Sequence, residues 1–273
     1  MAPVIEKLNR RIDQVQSLLC VGLDSDFERL PERFKKESDP QFAFNRFIID
    51  ETLPYAAAYK LNTAFYESLG GAGWESMQKT MDFLGKVSPE VFIIMDAKRA
   101  DIGNTSAQYA KAFFDVLKCD AVTLHPWLGG EALQPFLSRS DKAAIILCHT
   151  SNAGAHEMQG LSVKNDKGET LELWRQLARM IARDWNKSGN CMLVVGATVP
   201  DVLREVRREV GNMPLLVPGI GAQGGDLKAV LSAGLTADKQ GLLINSSRGI
   251  IFAENPKKEA ENLQQQISVL SNS

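Results

Sequence analysis

The sequence predicts an α/β chain folded as a (β/α)8 barrel with an extra N-terminal helix. Three observations carry that expectation. Eight short apolar runs punctuate the 273 residues, stretches with helical spacing lie between them, and no Ser/Gly/Pro-rich linker divides the chain. Strand alternating with helix marks parallel βα units, and eight units in roughly 250 residues is the count and size of a closed barrel. The competing arrangement is a doubly wound open sheet. We read 1–273 as a single barrel domain.

The elements follow in order. Ile5, Leu8, Ile12 and Val15 recur at three- and four-residue steps and give a helix ahead of the first strand. The strand candidates are 18–23, 57–61, 91–95, 121–124, 143–148, 191–195, 214–217 and 241–244. Each is continuous rather than alternating, as expected of strands buried on both faces. Helical spacing returns in Phe42, Phe44, Phe47 and Ile48, in Tyr109, Phe113, Val116 and Leu117, and in Leu171, Trp174, Leu177 and Ile181. Pro256 suits the first turn of a C-terminal helix. The widest gap between strands, after the fifth, holds the polar segment 150–169, long enough to be a functional lid or a disordered insertion.

Composition excludes several classes of function. Lys+Arg and Asp+Glu number 31 and 33, a formal charge of −2, so nothing favours wholesale nucleic-acid or membrane-surface binding. The longest apolar runs fall far short of the ~18 residues of a membrane helix, and the charged N-terminus is unlike a signal peptide. Cys20, Cys119, Cys148 and Cys191 form no CxxC pair, and three lie in apolar runs. We read them as buried thiols of a cytoplasmic protein. His125, His149 and His156 show no ligand spacing, so no metal site is expected on them.

Charged residues end the strands. The first runs into Asp24, the second into Lys60, and the third into 96–101, which reads Asp-Ala-Lys-Arg-Ala-Asp. In such a barrel the C-terminal strand ends carry the active site. Alternation along a strand puts Asp96 and Lys98 on one face, roughly 6–7 Å apart. One such residue could be a structural ion pair. Burying two lysines and three aspartates for stability alone makes poor energetic sense, because each desolvation costs several kcal/mol. A lysine between carboxylates stays charged and can donate a proton.

After the seventh strand, 218–226 reads Pro-Gly-Ile-Gly-Ala-Gln-Gly-Gly-Asp. It contains GxGxxG, but one strand alone follows, and that strand ends in Ser246-Ser247-Arg248 rather than an acidic ribose ligand. The better reading is a phosphate gripper built from the last two loops, with backbone N–H groups, the Gln223 amide and the Arg248 fork as donors. Asp226 caps the next helix.

The stretch 96–105, Asp-Ala-Lys-Arg-Ala-Asp-Ile-Gly-Asn-Thr, closely resembles the signature of the orotidine 5′-monophosphate decarboxylase family. Gly22-Leu23-Asp24, Lys60, 218–225 and Arg248 agree with it, and the resemblance covers nearly the whole chain. The length resembles the longer bacterial subfamily. The resemblance implies decarboxylation of orotidine 5′-monophosphate to uridine 5′-monophosphate, without metal or cofactor, by a homodimer with shared sites.

It also implies roles. Asp24 and Lys60 bind ribose hydroxyls, and Lys60 orients Asp96. Asp96 lies against the substrate carboxylate, and Lys98 delivers the replacing proton. Asp101 and Thr105 reach into the other subunit's site. Ser151 contacts the pyrimidine, Pro218 belongs to the substrate site, and Gln223 and Arg248 hold the phosphate. The chain departs from compact members twice: Ser247-Arg248-Gly249 stands where they have Gly-Arg-Ser, and the segment after Ala155 is longer. Related sugar-phosphate decarboxylases share Asp-x-Lys-x-x-Asp but use Mg²⁺. A non-catalytic phosphate-binding barrel would not need that triad.

Overall fold

A computed structural model describes residues 2–220 and 224–272. Eight parallel strands close into a barrel: β1 (Leu19–Gly22), β2 (Ala58–Asn62), β3 (Phe92–Arg99), β4 (Ala121–Leu124) and β5 (Ala143–His149) come first. A small antiparallel hairpin follows, β6 (Ser162–Lys164) and β7 (Thr170–Glu172). Strands β8 (Cys191–Val195), β9 (Leu215–Pro218) and β10 (Leu242–Ser246) complete the ring, with β10 closing on β1. All eight apolar runs become barrel strands, and the open sheet is excluded. β1, β4, β8 and β10 are buried at every residue, as expected of strands covered on both faces, and the buried set includes the polar Thr123, Asn245 and Ser246.

The N-terminal helix, Pro3–Val15, buries Val4, Ile5, Leu8 and Ile12. It sits at the N-terminal end of the barrel. Arg11 Nε donates to the carbonyl of Ala56, just ahead of β2, at 3.1 Å. Lys7 pairs at 2.8 Å with Asp120, just ahead of β4. Asp120 also accepts from the β3 backbone at Ile93, 2.9 Å. The extra helix is thereby pinned to the bottom of the barrel, opposite the charged strand ends.

Three local expectations are corrected. Leu171 belongs to β7, paired with Val163, and the following helix spans Leu173–Met180. The hairpin wins because Asn165 Oδ1 accepts from the backbone N–H of Lys167 and Glu169, and Gly168 takes φ +83°. The segment 150–169 is therefore built, with a short helix at Ala155–Met158 ahead of the hairpin. Val116 lies outside the core at 57% exposure, because a π-helical turn over Lys111–Val116 rotates it away while Phe113 and Leu117 stay buried. Elsewhere the helical spacing holds, in Pro40–Thr52 and in Pro256–Ser271, whose Asn255 cap accepts from Lys258 N at 2.9 Å.

Candidate active site

The C-terminal mouth of β1 to β4 holds a continuous charge chain. Register sets it up: Gly22 of β1 lies beside Lys60 of β2, and Asn62 of β2 beside Asp96 of β3. Lys60 Nζ stands 3.0 Å from Asp96 Oδ2 and 3.5 Å from Asp24 Oδ1. Lys98 Nζ donates to Asp96 Oδ1 at 2.6 Å. Asp24, Lys60, Asp96 and Lys98 are thus brought together as the sequence led us to expect.

Burial and charge pull these groups in opposite directions. Desolvation alone would lower the pKa of Lys60, which is 4% exposed, but Asp96 and Asp24 outweigh it and hold the ammonium above the ordinary lysine range. Burial alone would raise the Asp96 pKa, but Lys60 and Lys98 hold its carboxyl well below the usual carboxylate range. Lys60 is therefore the lysine flanked by two carboxylates. Lys98 pairs with Asp96, and its side chain is 49% exposed toward the mouth.

Lys98 does not reach Asp96 by simple strand alternation. Its φ is +48°, in the left-handed region that a β-strand lysine rarely adopts. The β3–β4 ladder explains the kink. Met95 pairs with Val122 and Arg99 with Leu124, so Asp96, Ala97 and Lys98 stand opposite Thr123. Sequence reading missed Thr123. It is 1% exposed, donates to Asp96 Oδ1 at 2.8 Å and accepts from the Lys98 backbone N–H at 3.0 Å. The available signal was one hydroxyl in an otherwise apolar fourth run. Arg99, also unassigned, anchors the same strand end. It pairs with Glu67, and its guanidinium lies 5.7 Å from the Tyr109 ring centroid.

The remaining site residues lie around the same rim. Ser151 follows β5 and presses on Gly196 just past β8. A Cβ on Gly196 would stand 2.8 Å from the Ser151 backbone N, so this approach needs glycine. Pro218 ends β9 in register with Asn245 of β10, three residues before Arg248, which is exposed at the start of the short helix Arg248–Ile251. Gly219 takes φ +109°, and its carbonyl accepts from Gly225 N at 3.3 Å. Asp226 does cap the next helix, accepting from Ala229 N at 3.2 Å. Gln223 lies outside the described residues.

Asp101 and Thr105 do not join the cluster within this chain. Asp101 Oδ1 accepts from Ile102 N at 2.7 Å, and Thr105 is exposed. Among the described residues, no group of three His, Cys, Asp or Glu side chains is placed to hold a metal ion, and no helix is long and apolar enough to cross a membrane.

A (β/α)8 barrel with an Asp–Lys–Asp–Lys chain at its C-terminal mouth has the form of a barrel enzyme, whose active site lies at the C-terminal strand ends. Comparison with known proteins narrows the class. The family described as "Orotidine 5'-phosphate decarboxylase / HUMPS family" matches residues 17–263, and the chain belongs to it. Orotidine 5′-phosphate decarboxylase of Phocaeicola vulgatus is 46% identical over 255 residues, 93% of this chain and 92% of that one. The enzyme of the same name from Thermomicrobium roseum is 47% identical over 257 residues, 94% of this chain and 89% of that one. Among solved structures, Leishmania donovani OMP decarboxylase superposes with a TM-score of 0.88 at 38% identity, covering 100% of both chains.

Proposed function

We propose that this protein decarboxylates orotidine 5′-monophosphate to uridine 5′-monophosphate in pyrimidine biosynthesis. Membership of the family and near full-length identity to decarboxylases of that name support the reaction. The observation that carries the mechanism is the unbroken chain Asp24–Lys60–Asp96–Lys98 at the barrel mouth.

The chemistry suits that chain. Cleavage of the ring C–CO2 bond leaves the electron pair in an in-plane orbital, orthogonal to the π system, where a conjugated electron sink has no simple overlap. What remains is electrostatic stabilisation by a preorganised cation with water excluded. The Lys98 ammonium faces the developing carbanion and transfers one Nζ proton to that carbon as CO2 departs. Asp96 lies against the substrate carboxylate. Because two lysines grip it, it keeps its charge and its orientation in the buried mouth. Lys60 fixes Asp96 and, with Asp24, receives the ribose hydroxyls. Ser151 meets the pyrimidine, and Pro218, Gln223 and Arg248 receive the phosphate end.

The functional unit is a homodimer with shared sites. Ile102, Trp127 and Leu128, on the loops after β3 and β4, are 62%, 69% and 43% exposed, a grouping that suits a second copy of the chain. Asp101 and Thr105, adjoining Ile102, then enter the neighbour's site. The four buried, unpaired thiols fit a reducing cytoplasm.

The test is direct. Purified protein with chelator and orotidine monophosphate should lose the substrate's ultraviolet absorbance at a rate that added Mg²⁺ leaves unchanged. Activity restored by Mg²⁺ alone, on a sugar phosphate, would move the chain to the metal-dependent branch of the family. Tight nucleotide binding without turnover would make it a binding protein.

A further inference from the structure

We infer that Thr123 is a positioning residue of the reaction, holding the catalytic pair Asp96 and Lys98 through one hydroxyl. The inference rests on the decarboxylase reading for its kinetic consequence and on the strand geometry for its structural one.

The argument starts from an accounting of backbone donors. A buried strand N–H needs an acceptor, and in a parallel ladder the neighbouring strand's carbonyls supply it. Between Met95 and Arg99 the ladder fails, because β3 spends three residues where β4 spends one. The Lys98 N–H falls in that gap. The Thr123 hydroxyl fills it, accepting from Lys98 N at 3.0 Å. The same oxygen turns its own proton to Asp96 Oδ1 at 2.8 Å. The polarity is forced, since a backbone N–H can donate but not accept, and Asp96 is ionised.

Two consequences follow. First, the left-handed φ of +48° at Lys98 is strained for a residue with a side chain and persists only where its surroundings hold it. The Thr123 contact is a direct hold on that residue's backbone. Second, Asp96 Oδ1 accepts from Thr123 and Lys98 while Oδ2 accepts from Lys60, so the carboxylate plane is fixed from three sides. Thr123 touches both the anion and the backbone that carries the proton donor, from a position beneath them with 1% exposure. Its effect on substrate passes through those two residues.

The experiment compares Thr123→Val, which keeps the shape without the hydroxyl, with Thr123→Ser, which keeps the hydroxyl. The valine variant should remain folded and lose on the order of ten- to a hundredfold in kcat, with KM within about threefold. Serine should restore kcat to within about threefold of the parent. Independently of any substrate, amide hydrogen exchange at Lys98 should accelerate in the valine variant and stay slow in the serine variant. Thr123→Ala gives the same readouts if valine disturbs the strand. Unchanged kcat in a folded variant lacking the hydroxyl, serine as damaging as valine, or unaltered Lys98 exchange would each overturn the assignment. If the parent fails to turn over orotidine monophosphate, the substrate reading falls, while the exchange experiment still decides the role of Thr123.

Discussion

Asp96 accepts from Lys60, Lys98 and Thr123, and its charge holds the local chemistry together. Lys98→Ala removes the proposed proton donor. Since that side chain is half exposed, the variant should melt close to the parent while turnover disappears. Near-native turnover in the folded variant would strip Lys98 of its role. The ion cluster also predicts a pH dependence of stability. The Asp96 pKa is depressed in the folded chain, so its stabilisation is fully present above the unfolded value of ~3.9 and is lost as pH falls toward the folded value. Lys60 is raised, so its contribution is complete below ~10.4 and is lost at higher pH. The stability gap between the parent and Asp96→Asn, read from urea midpoints, should therefore be flat from about pH 5 to 9 and narrow below pH 4. A gap that widens on acidification would mean that the folded Asp96 carries a proton. Asp24, Lys60, Asp96 and Lys98 were legible because charges at apolar strand ends have few structural uses. Thr123 was not, since one threonine in a buried strand reads as ordinary packing. Nor was the left-handed turn at Lys98, which depends on how β4 pairs.

At the scale of elements, the strands were legible in type and order because burial on both faces leaves an unbroken apolar signature. Their ends were less so. β3 continues four residues past its apolar run to Arg99, because the polar residues beyond Met95 are held by the site rather than by the core. The hairpin of β6 and β7 was hidden by its exposed, mixed sequence and short strands. The proposed phosphate loops make two predictions. Arg248→Ala should weaken binding of the phosphorylated nucleotide far more than that of the bare nucleoside, because the guanidinium fork has no partner in the latter. Equal losses by titration calorimetry would place Arg248 elsewhere. Gly22→Ala acts on the same element from β1. A Cβ there would lie 1.9 Å from Ser247 Oγ and 3.3 Å from Ser247 Cα, so the residue preceding Arg248 must move. Nucleotide affinity should fall roughly tenfold or more while nucleoside affinity changes less. An unchanged ratio of the two would show that the loop absorbs the methyl group without moving Arg248.

At the scale of the whole molecule the question is one of stoichiometry. Lys98 meets a single carboxylate, Asp96, whereas the motif 96–101 carries a second, Asp101, turned toward its own neighbour Ile102. The closed barrel was legible from the count of βα units, but a shared site is not, because nothing in a sequence marks which loop crosses a two-fold axis. Subunit mixing resolves it. Lys98→Ala and Asp101→Ala should each be inactive alone. Exchanged at equal concentrations, random pairing makes about half of the dimers mixed. In a mixed dimer that works in trans, one site receives both lesions, and the other joins an intact Lys98 from one chain to an intact Asp101 from its partner. Activity should then recover to about a quarter of the parent's. If Asp101 served its own chain, every site in the mixed dimer would carry one lesion and nothing would recover. Absence of recovery, with exchange verified by differently tagged subunits, would return Asp101 to its own barrel and leave Lys98 with Asp96 alone.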